Sequence, residues 1–133
     1  MTDIKSISIS ISLIMYGYVN LFIEQTEKGL EVSSVAMADG GAVYFDEEKI
    51  FQNKNIKELS LLIEQVKLPE KEDESESKEW SFVSLDKEDT PINNMCLEGG
   101  YWTIDILKNI VNLIDKYLEE TYITEYVHDI IDA

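Results

Sequence analysis

The stretch KSISISISLIM, residues 5–15, alternates serine with isoleucine so regularly that only an extended strand suits it. Ile7, Ile9, Ile11, Leu13 and Met15 share one side of that strand, and Ser6, Ser8, Ser10 and Ser12 share the other. One face is therefore buried and the other polar. Serine protects a strand edge poorly, because it brings neither the charge nor the proline that blocks pairing with another chain. The pattern poses a choice: the strand is flanked by its own sheet, or the sheet receives a strand from a partner.

The odd-position pattern continues through Val19, Leu21 and Ile23. A single strand from residue 4 to 25 would run roughly 70 Å at about 3.3 Å per residue, so Gly17 is expected to mark a turn, bulge or bend. TEKG at 26–29 reads as a hairpin turn into LEVSSVAM, where the apolar phase slips between Val32 and Val35 and predicts a bulge at Ser33–Ser34. DGG at 39–41 reads as another turn, before a short strand, AVYF. At Asn55 the period changes. Ile56, Leu59, Leu62, Ile63 and Val66 follow helical spacing behind an Asn55–Glu58 capping box, and Pro69 is expected to end the helix.

Residues 70–79 carry no apolar side chain, so 69–79 reads as an acidic mobile loop within a single domain, 1–133. The alternative is an acidic arm that grips a basic partner. WSFVSL (80–85) and INNMCL (92–97) read as antiparallel neighbours across the DKEDTP turn. From Thr103 helical spacing returns as far as Leu118 and, after a break near Thr121, continues through Ile131. The order predicts an α+β domain. Its sheet is mainly antiparallel and twisted, with an N-terminal run of hairpins, one mid-chain helix and C-terminal helices packed on it.

The chain has 133 residues, 44% of them apolar, enough to bury a core. Its first residues, MTDIKS, lack the basic and apolar regions of a secretory leader. No apolar run approaches the roughly 20 residues of a membrane span. The single cysteine, Cys96, allows neither an internal disulfide nor a thiolate zinc site, and a cytoplasmic location is expected. Acidic residues number 27 against 11 basic ones, a formal charge of −16. That balance argues against nucleic acid and anionic membranes, whose affinity comes from lysine and arginine at phosphates. It serves either solubility or fast encounter with a cationic partner.

Catalytic chemistry finds no footing. His128, the sole histidine, would need Cys96 or a serine beside it and a third group to orient it; a helix-surface position is expected instead. Asp46, Glu47 and Glu48 lack the ligand spacing and central glycine of a calcium loop. The turns ADGGAVYF and LEGGYWTI resemble each other but match no phosphate-binding loop. No catalytic residue, metal site or cofactor is assigned, and a binding protein is expected rather than an enzyme. Trp80, Tyr101, Trp102, Tyr16 and Tyr18 serve as core residues or as interface anchors, with three of the five expected to be structural.

The segments SISISISLIMYGYVNLFIE, ADGGAVYFDEE and LEGGYWTIDILKNIVNLIDKYL, in a small acidic α+β chain, resemble the immunity proteins of contact-dependent growth inhibition systems. The resemblance implies a stoichiometric inhibitor that binds a basic C-terminal toxin domain, often a nuclease, delivered by a neighbouring cell. It further implies that a toxin hairpin can extend the sheet by β-augmentation. The partner-binding residues expected on this reading are Asp39, Asp46, Glu47, Glu48, Glu98 and Tyr101, grouped at the two glycine turns. Two alternatives stand beside it: a single-stranded nucleic-acid-binding module of the Whirly type, and an acidic mimic of nucleic acid that blocks a DNA-binding protein.

Overall fold

The alternation that opens the chain builds the middle of a sheet. A computed structural model describes residues 3–13, 17–38, 40–66, 78–99 and 104–132. In chain order these form β1 (Ile4–Leu13), β2 (Gly17–Thr26), β3 (Gly29–Met37), β4 (Val43–Phe51), α1 (Ile56–Glu64), β5 (Lys78–Asp86), β6 (Pro91–Glu98), α2 (Ile104–Leu118), a 3-10 turn (Tyr122–Thr124) and α3 (Glu125–Asp132). The six strands lie in the order β4-β3-β2-β1-β5-β6, every neighbouring pair antiparallel. The α+β architecture expected from the sequence is the one observed.

β1 is paired on both sides, with β2 and with β5. The strand that looked vulnerable is therefore flanked by its own sheet, and the edges belong to β4 and β6. Gly17 begins β2 after the β1 hairpin, with φ of +120°, and a Cβ there would stand 2.1 Å from the Met37 carbonyl oxygen. Only glycine fits that corner. The TEKG turn joins β2 to β3 as expected.

Side chains of one sheet face enter the core. Ile7, Ile9 and Ile11 of β1, Val19, Leu21 and Ile23 of β2, and Leu30 and Val32 of β3 are fully buried. They join one apolar cluster with Leu59 of α1, Leu107, Ile110, Val111 and Ile114 of α2, and Val127 of α3. All three helices belong to this cluster, so they cover the same face. Ser34 sits at a core position directly opposite Leu21, its hydroxyl buried without a partner, while Val35 lies on the other face opposite Asn20.

That arrangement corrects the expected bulge at Ser33–Ser34. The β2–β3 register runs unbroken there, and the irregularity comes later, between Ala36 and Met37 in the β3–β4 pair. The phase slip is a serine in the core, not an extra residue. β4 is also longer than AVYF and runs on through DEEKIF. Its charged middle hid it, because an edge strand mostly outside the helix layer need not alternate.

Asn55 caps α1 as the sequence suggested: its Oδ1 accepts from the Glu58 N–H at 2.9 Å, and its Nδ2 donates to Glu58 Oε1 at 2.6 Å. The Asn55 N–H is satisfied differently, donating to the Tyr117 hydroxyl of α2 at 2.9 Å. The helix ends at Glu64, ahead of Pro69, which lies outside the described residues. β5 starts at Lys78, two residues before WSFVSL; residues 69–77 of the expected acidic loop lie outside the described residues. α2 stops at Leu118 with Glu119 in the left-handed region, φ +59°, and the 3-10 turn follows, matching the break expected near Thr121. Among the described residues, no helix is long and apolar enough to cross a membrane.

Candidate interaction surface

Directly opposed residues share a face in an antiparallel sheet. The registers therefore place Ser6, Ser8, Ser10 and Ser12 of β1 on the face away from the helices, with Tyr18, Asn20, Phe22 and Glu24 on one side. Glu79, Ser81, Val83 and Leu85 of β5 stand on the other side. Serine is shorter than all of these neighbours except Ser81. The serine strand thus becomes the floor of a trough whose walls are β2 and β5.

At one end the trough widens into a concavity of about 630 Å³, lined by Ser10, Ser12, Tyr18, Asn20, Glu79, Ser81 and Glu98 among others. The Ser10 hydroxyl donates to Asn20 Oδ1 at 2.6 Å, and the Tyr18 hydroxyl donates to Met37 Sδ at 2.8 Å, which holds two side chains of the β2 wall in place. Tyr18 and Phe22 are each 38% exposed here, and Ile50 of β4 is 37% exposed.

Acids dominate the paired positions of this face. The registers bring Glu24, Glu31, Asp46, Glu48, Glu79 and Glu98 onto it, whereas Lys49, opposite buried Val32, falls on the helix side. Four lysines are paired with other acids. Lys5 meets Asp89 at 3.4 Å, Lys87 meets Asp3 at 3.2 Å, Lys108 meets Asp132 at 3.1 Å, and Lys49 meets Glu120. None of these pairs uses an acid of the open face.

The residues expected from sequence are split by this geometry. Asp46 and Glu48 are exposed on β4 and belong to the open face, opposite Val35 and Ser33. Glu47 alternates to the helix side, the side on which Phe45 meets the Tyr126 ring at 4.8 Å. Glu98 is on the open face but on β6, at the opposite edge of the sheet. Five strand spacings separate the two edges, about 24 Å, so these acids form two ends of one surface and not one cluster. Asp39 and Tyr101 lie outside the described residues, as do Tyr16 and Trp102. Trp80 is core, 4% exposed, whereas Tyr18 is surface. Glu24, Glu31 and Glu79 went unnoticed, because isolated acids within strands reveal their shared face only once the register is known.

His128 corrects a second expectation. Instead of standing free on a helix surface, it places Nε2 2.6 Å from Asp115 Oδ2, and the Thr124 hydroxyl donates to the other carboxylate oxygen. Asp115 is buried at 8% exposure, so the cluster ties α2, the 3-10 turn and α3 together. A sequence signal existed: Asp115 falls four residues after Val111 and three before Leu118, inside the apolar stripe of α2. Cys96 pairs in register with Val83 on the open face, across the sheet from this cluster, so histidine and thiol do not meet. Tyr117 of α2 has a displaced titration. Burial pushes its phenol above the usual value, and the nearby Glu58 adds to this against the Asn55 backbone hydrogen bond.

No protein-family model matches the chain, and no curated protein or solved structure is significantly similar to it.

Proposed function

We propose that this protein is a stoichiometric inhibitor of the immunity type, acting in the cytoplasm, which neutralises a basic toxin domain by docking it across the open face of the sheet. The observation that carries this reading is the open face itself: six acids share it with the exposed side chains of Tyr18, Phe22, Val43 and Ile50. Such a face attracts a domain rich in lysine and arginine, and the field speeds encounter. The same field repels phosphates, so a nucleic-acid-binding role has less support.

The β4 edge supports the finer part of the reading, acceptance of a partner strand. Its outer side has no strand partner among the described residues. Antiparallel pairing of two β4 strands about Glu47 would set Asp46 against Glu48 and Glu47 against itself. Like charges directly opposed are destabilising, so the edge resists its own kind. A strand with lysine or arginine at those positions meets the opposite condition.

The test takes the C-terminal domain encoded by the gene immediately upstream, the position such an effector would hold. Expressed alone it should arrest growth, and coexpression of this protein should restore growth through a 1:1 complex. Asp46→Lys with Glu48→Lys should weaken protection, whereas Glu125→Lys with Asp129→Lys on exposed α3 positions should not. Restoration without a complex, or equal protection by both double variants, would sink the reading. An affinity that collapses with salt and ignores a proline in β4 would instead indicate an electrostatic mimic.

A further inference from the structure

A contiguous apolar strip crosses the β2–β4 half of the open face. Tyr18, Met37 and Val43 oppose one another in a single cross-strand row. Val35 is the next open-face residue along β3, and Phe22 lies diagonal to it on β2. Val43 is 58% exposed, Tyr18 and Phe22 are exposed as well, and Val35 and Met37 are half-buried. Asp46 and Glu48 stand beside this strip on β4, and the Glu24–Glu31 row closes its far end. An exposed apolar patch with a charged rim is the pattern of a protein interface.

Charge selects the occupant. A second copy docked by the same face would set these four acids against their own counterparts, in a chain of formal charge −16. Nucleic acids and anionic membranes meet the same repulsion. A cationic protein element with an apolar side meets neither obstacle. Geometry selects its form. A strand laid on the face finds no backbone groups to pair with, because β2 and β3 each spend theirs on two neighbours. Helices already cover the opposite face of this sheet, and a helix is the element that packs on such a surface. From the Tyr18–Met37 row to the Glu24–Glu31 row the strip runs about 20 Å, the length of a helix of about 13 residues.

Resting on the proposed reading of this face, we infer that the β2–β4 strip seats one basic amphipathic helix of the arriving protein. The apolar stripe of that helix lies on Tyr18, Phe22, Val35, Met37 and Val43. Its lysines and arginines reach Asp46 and Glu48 along one flank and Glu24 and Glu31 at the end. Apolar contact carries the affinity, and the acidic rim carries the encounter and rejects other classes of partner.

The probe is a lysine–leucine peptide of that length, with leucine at the i, i+3, i+4, i+7 spacing of one helix face. It is added at physiological salt to the 15N-labelled full chain and followed by NMR, with oligolysine of equal charge as the control. Expected are saturable shifts at the Tyr18, Phe22, Val35 and Met37 amides, with the peptide becoming helical by circular dichroism as it binds. Oligolysine should bind at least tenfold more weakly. Phe22→Ser with Val43→Ser, both at exposed positions, should weaken the peptide at least tenfold while the dispersion of a folded spectrum persists. Equal binding of oligolysine, undiminished binding by the double variant, shifts confined to the helix side, or no saturable response would overturn the helix seat. The peptide assay needs no toxin, so its failure leaves the inhibitor reading standing, and a failed neutralisation assay leaves the helix seat standing.

Discussion

Replacing Asp115 with alanine should cost this protein about 2–3 kcal/mol. The carboxylate is 8% exposed and accepts from two side chains, the Thr124 hydroxyl and His128 at 2.6 Å. Hydrogen bonds to a charged acceptor contribute roughly 1.5–3 kcal/mol each, which sets an upper bound near twice that. Three effects reduce it. Thr124 keeps an acceptor in the Thr121 carbonyl at 3.0 Å, His128 is 24% exposed and can turn to water, and the cost of burying a carboxylate disappears. In a chain of this size 1 kcal/mol moves the melting midpoint by about 3–5 °C, so Asp115→Ala should melt about 6–15 °C lower. Urea unfolding followed by circular dichroism measures the free energy, and a cycle with His128→Ala isolates the pair. The coupling should reach about 1 kcal/mol. A single-variant loss below about 0.5 kcal/mol, with no coupling, would show that the cluster holds nothing together.

Two further outcomes follow from local geometry. Gly17→Ala should lose more than about 2 kcal/mol in the same urea assay, because a Cβ meets the Met37 carbonyl oxygen at 2.1 Å and φ is +120°. The Tyr117 phenol holds its proton above the usual value in the folded state, so the unfolded chain releases that proton first as pH rises. Its contribution is complete below the ordinary tyrosine range and is lost as pH climbs through about 10 and beyond. Wild type should therefore lose stability above that pH more steeply than Tyr117→Phe, as read by unfolding midpoints across alkaline buffers.

The central hairpins, the capping box at Asn55 and the helix break near Thr121 were legible because each depends on neighbours in sequence: alternation, a cap three residues away, a lapse in period. Ser34 misled for the same reason, since local pattern cannot distinguish a serine in the core from a bulge. The candidate surface was legible only in part. Asp46, Glu48 and Glu98 drew notice, but strand alternation sends Glu47 to the other side, and strand order puts Glu98 at the far edge. The trough needs β1 to lie between β2 and β5, a pairing that closes only after α1 and about 65 residues of chain. No local signal reports it.

Hydrogen–deuterium exchange on the complex with the toxin domain tests the central claim most directly. In the free protein, the outward amides of β4 (Val43–Phe51) lack a partner strand and should exchange rapidly. Complex formation should slow exchange there by at least tenfold, slow it also in peptides spanning Glu79 and Glu98, and leave α2 and α3 unchanged. Protection confined to α2 and α3, with β4 exchanging as in the free protein, would contradict docking on the open face.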